Sequence, residues 1–251
     1  IQNNGIIYNT NNKLSNNKFP LHISYDLVDN QRFFRMQNLF AKREYHTLES
    51  FEDIQIDNIT TRPRILIPLL AKDLGYSQVL EIDNKFLNLR KEAIDLLAEW
   101  NGEMSIYLPQ PLIFYTWAAQ FQKMVMQDEI GKNVNWFNSV NSNFLERVLR
   151  NINGASAWCD IKQTNKLETC EEISSKALDN ALVTIANKYG QDIKKWLWGN
   201  YHKAYFSDKV LGKYPIISYL TNIVFEVSGG DDTLSMNRAI SSTNNNYNVN
   251  Y

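Results

Sequence analysis

A chain of 251 residues, 44% hydrophobic, is long enough to bury a sizeable core in one large or two small domains. Its formal net charge of −1, with no run of Lys or Arg, argues against a nucleic-acid surface or a footprint for anionic membranes. The longest apolar run is about seven residues, 65–71 with Pro68 inside it, against the roughly 20 a membrane helix needs, so no bilayer-spanning segment is expected.

From the amino end, Gly5-Ile6-Ile7-Tyr8 reads as a short strand and Asn9-Thr10-Asn11-Asn12 as a turn of residues that tolerate unusual backbone angles. An Asn amide is a neutral N–H donor, and one held rigidly at a strand end can stabilise a developing oxyanion. Residues 18–30 are irregular, with Phe19-Pro20 fixing an extended approach. A helix is predicted over 32–40, with Phe33, Met36, Leu39 and Phe40 on one face. Arg32 and Arg35 stand near its start, against the helix macrodipole, which points to a specific partner for one of them. Residues 47–58 form another predicted helix, capped by Thr47 or Ser50, with Glu49, Glu52 and Asp53 in its first turn.

Helices dominate the next stretch. One follows Pro63 over 64–74. Another over 84–100 is apolar on two neighbouring stripes, Leu87, Ile94 and Leu97 beside Phe86, Leu89, Ala93, Leu96 and Trp100, and stops at Asn101-Gly102. Pro111 opens a long helix to Ile130 with Trp117, Phe121 and Met124 at core spacing, and a further one is predicted over 136–149 with Phe137, Val140, Phe144 and Val148 on its core stripe. Thr169 caps a helix through Ile173, Ala177, Leu178, Ala181, Leu182 and Ile185, ended by Gly190. In 195–206 five aromatics and His202 surround Gly199, a packed corner that reads either as a short helix or as a turn feeding a strand. His202 is expected in the core with its ring nitrogens satisfied by backbone. Residues 216–220 and 223–227 read as strands leading into Gly229-Gly230-Asp231-Asp232-Thr233, a turn, and 241–251 is Asn-rich without periodicity.

Cys159 and Cys170 are the only cysteines and flank a polar stretch; they are either two buried thiols or one local disulfide, and a polar loop is a poor place to bury thiols. A disulfide would mean an oxidising compartment. These cysteines with His22, His46 and His202 do not match zinc spacing, so no metal site is expected. No Gly-x-Ser-x-Gly elbow, phosphate-binding loop, dinucleotide fingerprint or His-Glu-x-x-His occurs.

Taken in order, Gly5-Ile6-Ile7-Tyr8-Asn9-Thr10-Asn11-Asn12, Phe19-Pro20, Arg32 leading into Arg35-Met36, Gln55-x-Asp57, Trp100-Asn101-Gly102-Glu103-Met104, Trp158-Cys159-Asp160, Glu168-Thr169-Cys170, Tyr189-Gly190, Trp198-Gly199-Asn200-Tyr201-His202 and Gly229-Gly230-Asp231 resemble the penicillin acylase family of N-terminal nucleophile hydrolases. The resemblance implies an α+β fold: a predominantly helical block inserted between strands of an αββα sandwich that is incomplete in this chain. The expected parts are a strand-and-loop segment with the first helices over 1–62, the helical block over 63–200, and a return to sandwich strands with a polar tail over 201–251.

It also implies a two-chain periplasmic or secreted amidohydrolase, cut autocatalytically so that a serine opens the larger chain and attacks the amide of a small N-acyl substrate, with its own α-amino group as base. Asn11 matches the family's oxyanion donor, and Arg32 the arginine that helps position the nucleophile's amino group and the substrate. Residue 1 here is Ile, and Ser142-Asn143 lacks the Gly before and Trp after that mark the family's nucleophile, so the chain is expected to be an interior piece of the larger chain. Its partners would be the remainder of its own precursor, both the nucleophile-bearing segment and the smaller chain. The resemblance admits calcium in the intact enzyme, with ligands mostly outside this chain, and implies no cofactor within it. A different reading is a non-catalytic helical binding or scaffold module. Asn11 separates the two, since a side-chain amide that only caps a turn favours the module.

Overall fold

The computed structural model describes residues 6–7, 9–13, 30–74, 84–137, 139–206, 208, 210–211 and 214–236. Its long helices assemble around α5 (Gln110–Ile130), which buries Pro111, Leu112, Ile113 and Phe114 in its first turn and Trp117, Ala118, Phe121, Val125 and Met126 after it. A surface so wide and so apolar has to be covered from several sides. It is covered chiefly by α7 (Cys170–Tyr189), and also by α4 (Asn84–Ala98) and a short α8 (Trp198–Tyr201). Two more helices, α3 (Arg62–Leu70) and α6 (Ser142–Leu149), pack on each other beside this centre.

α7 starts and stops where its sequence dictates. Thr169 accepts from the Glu172 amide while the Glu172 carboxylate accepts from the Thr169 amide, a complete capping box, and Gly190 at φ 82° ends the helix. That carboxylate sits below its ordinary pKa, first because Lys166 donates to it and then because of the Thr169 amide. Polar side chains inside the bundle are bonded. Trp117 Nε1 donates to Ser174 O at 2.9 Å, Ser174 Oγ to Leu70 O at 2.7 Å, and Arg90 reaches Asp179 at 2.8 Å and Ser175 Oγ at 3.0 Å. The Arg90–Asp179 pair is almost fully buried, so removing one partner would strand the other in the core.

Cys159 and Cys170 form a disulfide that closes the polar loop onto the start of α7. After α8 the chain runs straight into β1 (Lys203–Phe206), which pairs antiparallel with β2 (Ile223–Glu226) in the register Ala204 to Phe225 and Phe206 to Ile223. The 195–206 corner is therefore both alternatives at once, a single helical turn feeding a strand. Gly199 in that turn is a close approach: its amide bonds Ile106 O at 2.9 Å, and a Cβ there would lie 3.0 Å from the Ile106 Cβ.

Two expectations fail. The single helix over 136–149 is instead a 3-10 turn, Gly131–Trp136, followed by α6, because Asn141 caps a new helix by accepting from the Phe144 amide. Phe137, expected in its core stripe, is exposed. Residues 216–220 are helical, not a strand: Pro215 takes the first position of α9 (Pro215–Thr221), where its missing N–H and fixed φ cost nothing, and this outweighs the β preference of Ile216-Ile217. The chain is thus α+β, with two strands among the described residues. The expected amino-terminal strand falls largely outside those residues, Ile6 and Ile7 being described outside any named strand, and Phe19-Pro20 and the 241–251 tail lie wholly outside them.

Closing a loop of this length stabilises a fold by about 3 kcal/mol through the unfolded chain. Urea unfolding with and without reductant should therefore show an unfolding free energy lower by that amount, read as a lowered midpoint, in the reduced protein, and a Cys159→Ser/Cys170→Ser variant should match the reduced curve.

Candidate active site

Asn9-Thr10-Asn11-Asn12 folds as a turn tied by its own side chains. Asn9 Oδ1 accepts from the Asn11 amide at 2.9 Å, and Asn12 Oδ1 accepts from Thr10 Oγ1 at 3.0 Å and from the Thr10 amide at 3.3 Å. Thr10 and Asn12 are buried and Asn11 between them is exposed, at φ 62°, a left-handed conformation that Asn adopts more readily than other side chains. The turn anchors its neighbours and presents Asn11.

Arg32, the second residue of α1 (Gln31–Phe40), is the one buried residue of that helix. Its Nη2 donates to Thr10 O at 2.9 Å and to Asn11 Oδ1 at 3.0 Å. A guanidinium has donors only, so the atom facing it has to be the amide oxygen of Asn11, and this fixes the orientation of the amide. Nδ2 then points elsewhere and makes no hydrogen bond among the described residues. The cation also withdraws electron density through Oδ1 and sharpens Nδ2 as a donor. The structure thus brings the two predicted site residues together as one unit.

A second polar cluster went unread in the sequence. Asp232, in the turn after Gly229-Gly230, is buried and ion-paired with buried Arg62 at the start of α3. Tyr115 of α5 donates to Asp232 Oδ2 at 3.3 Å. Burial first, then the charge of Asp232, holds the Tyr115 hydroxyl well above the ordinary tyrosine pKa. Gly229 shapes this turn at φ 90°, where a Cβ would strike Ser235 O at 2.2 Å. The signal that could have found the pair is the one that marked Arg32: Arg62 too stands at a helix N-terminus, against the macrodipole.

His202 is fully buried, stacked on Trp198 with centroids 4.7 Å apart, and its Nδ1 donates to Val227 O at 2.8 Å, the core role read from sequence. Ser142, beside which no nucleophile pattern was found, is the first residue of α6. No group of three His, Cys, Asp or Glu side chains that could hold a metal ion occurs among the described residues. A cleft of about 590 Å³ near the end of α5, lined by Lys123, Gln127, Asp128, Lys132 and Gln163 among others, includes neither Asn11 nor Arg32.

The sequence matches a family model described as penicillin amidase over residues 1–251. No curated protein matches it. Among solved structures, the thermostable penicillin G acylase of Alcaligenes faecalis is similar with a TM-score of 0.55 at 20% identity, over 91% of this chain and 45% of that one. The chain therefore spans less than half the length of that protein.

The raised pKa of Tyr115 has a sign. Its neutral form is favoured in the folded state, so the stability it contributes is complete below the ordinary tyrosine value of about 10 and is lost as pH climbs from there toward the folded value. Urea midpoints between pH 9 and 11 should fall less steeply for Tyr115→Phe than for the parent chain.

Proposed function

The chain belongs to the penicillin amidase family, and we propose that it forms part of an acylase-type amidohydrolase to which Asn11 supplies an oxyanion donor. The observation that carries this reading is the orientation of the Asn11 amide: Oδ1 taken by buried Arg32, Nδ2 exposed as a donor. An amide serving only as a turn cap would have its polar atoms used within the turn. Here the caps are made by Asn9 and Asn12.

In this reading a serine from further polypeptide of the same precursor attacks the carbonyl of a small N-acyl amide. Its α-amino group takes the hydroxyl proton as the Oγ–C bond forms, and the carbonyl electron pair moves to oxygen. Asn11 Nδ2 donates to that oxygen, and the charge of Arg32 behind it lowers the energy of the anion further. The electron pair returns, the C–N bond breaks, the amine leaves with the proton, and water repeats the sequence on the acyl-enzyme.

The need for further polypeptide is supported by the surface at the carboxy-terminal end. Ile216 and Leu220 of α9 are 84% and 80% exposed, and Phe206, Ile223 and Phe225 share one half-open face of the β1–β2 pair. An apolar face of this kind marks a contact. The disulfide supports the expected periplasmic or secreted setting. The partner is not a nucleic acid, given the near-neutral charge, and no described helix is long and apolar enough to cross a membrane.

Intact mass and amino-terminal sequencing of the mature gene product should reveal a cut before a serine upstream of Ile1. In that product Asn11→Ala should lower kcat about 100- to 1,000-fold, the cost of one oxyanion donor, while the cut fragments still copurify. An uncut product without amide hydrolysis, or an Asn11→Ala enzyme of undiminished kcat, would overturn the assignment.

A further inference from the structure

The helix that carries Arg32 is held to the rest of the fold by polar contacts rather than by a core. Of the ten residues of α1 only Arg32 is buried, and Arg32 faces the Asn11 turn. On the other side Arg35, one turn further along, meets Asp57 end-on with two bonds, Nε to Oδ1 at 2.9 Å and Nη2 to Oδ2 at 2.5 Å. Their side chains are 19% and 11% exposed, which places this pair well away from the screened surface pairs that contribute little. Gln31 adds one contact, accepting from Thr61 Oγ1 at 2.6 Å.

Asp57 is itself fixed. The Met104 amide, from a fully buried residue, donates to Asn58 O at 2.9 Å, and the Thr60 amide donates to Gly102 O at 2.9 Å. Gly102, at φ 92°, has its Cα so close to Thr60 that a Cβ would lie 2.1 Å from the Thr60 carbonyl oxygen. The Ser235 amide donates to Asp57 O at 3.0 Å, which ties the same residue to the loop after Gly229-Gly230. A continuous set of contacts thus runs from the core at Met104 through 58–60 to Asp57, Arg35, α1, Arg32 and Asn11.

We propose that Asp57, acting through Arg35, is a positioning residue for the Asn11–Arg32 unit: it sets the rotation and height of α1, and so the point at which Asn11 Nδ2 is offered. This rests on the acylase reading of that unit. A bidentate guanidinium–carboxylate pair fixes direction as well as distance, which a patch of apolar contact does not. Misplacement by about 1 Å is enough to cost on the order of 100-fold in rate. Because α1 contributes so little to the core, loosening it should leave global stability nearly intact.

The test uses Asp57→Asn in the intact gene product and in the 251-residue chain. In the intact enzyme kcat should fall between 10- and 100-fold with KM unchanged within about twofold, because an oxyanion bond is made in the transition state. The melting midpoint should move by less than about 3 °C. Exchanging the pair, Arg35→Asp with Asp57→Arg, should recover part of the lost kcat, and Asp57→Glu should retain more activity than Asp57→Asn. In the 251-residue chain, labelled with ¹⁵N, the Asn11 side-chain amide resonance should move to its random-coil position in Asp57→Asn while resonances of α5 and α7 stay in place.

An unchanged Asn11 resonance, an unchanged kcat, or a loss of activity matched by a loss of melting midpoint would each overturn the proposal. If the intact product hydrolyses no amide yet the Asn11 resonance collapses, the positioning stands and only the acylase reading fails.

Discussion

α5 can be placed in only one kind of surrounding. With Pro111, Leu112, Ile113 and Phe114 and two residues of nearly every later turn buried, it has to be enclosed, and α7, α4 and α8 are arranged as they are because they enclose it. Even the polar groups near it serve that end. Buried Gln122 donates to Ser139 O at 2.9 Å and accepts from the Asn141 amide at 2.7 Å, so the one amide on its inner face positions the loop that caps α6. Tyr115 and Trp117 send their polar ends to Asp232 and Ser174 O, tying the carboxy-terminal turn and α7 to the same helix. The centre is thus an apolar body with a few directional bonds that set which neighbour lies where.

The Asn11–Arg32 unit lies outside that body, and a different force holds it. Around Asn11 neutral bonds shape the turn itself, and arginines tie it and its surroundings to the rest: Arg32 to the turn, Arg35 to Asp57, and Arg62 to Asp232 behind the turn that meets Asp57 through Ser235. Hydrophobic contact is strong and non-directional, whereas guanidinium pairs are weaker in sum and fixed in angle. The proposed oxyanion donor, which would have to meet a developing charge within a fraction of an ångström, needs the second kind. Each arginine also stands in the first turn or so of its helix, where the macrodipole disfavours a cation. The local penalty is outweighed by the partner each one reaches.

Legibility in the sequence followed the same division. α7 could be read end to end because Thr169, Glu172 and Gly190 act within a turn of their own positions, and the α5 stripe with Leu89, Ala93 and Leu97 of α4 because burial repeats with the helix, while Leu87, read into the same surface of α4, is exposed. Failures came where two local preferences competed. Ile216-Ile217 favoured a strand while Pro215 favoured a helix start, and Asn141 divided what apolar spacing alone read as one helix. The Asn9–Asn12 turn and the oddly placed Arg32 were visible, and family resemblance made Asn11 and Arg32 site candidates, but the bond between them is known only from the fold. The Arg62–Asp232 and Arg35–Asp57 pairs join residues far apart in sequence, and nothing local in Asp57 or Asp232 names its partner. A charge at a helix start announces that a partner exists and leaves its identity to the fold.

Position 11 shows why one residue type answers both demands. Its φ of 62° excludes β-branched and most other side chains, leaving Gly, Asn and Asp as the residues that visit this region at little cost. Gly would satisfy the backbone and offer no donor. Asp would satisfy it as well, but its carboxylate has acceptors only; it would pair with Arg32 as an ion and present negative charge where the proposed oxyanion would form. Asn alone has an oxygen for the guanidinium and an outward N–H for the proposed donor role, on a side chain short enough to suit the left-handed backbone. Once Arg32 occupies Oδ1, the remaining freedom of the amide, which end faces outward, is removed as well. The turn decides that the residue is Asn, and the arginine decides which atom of it is available.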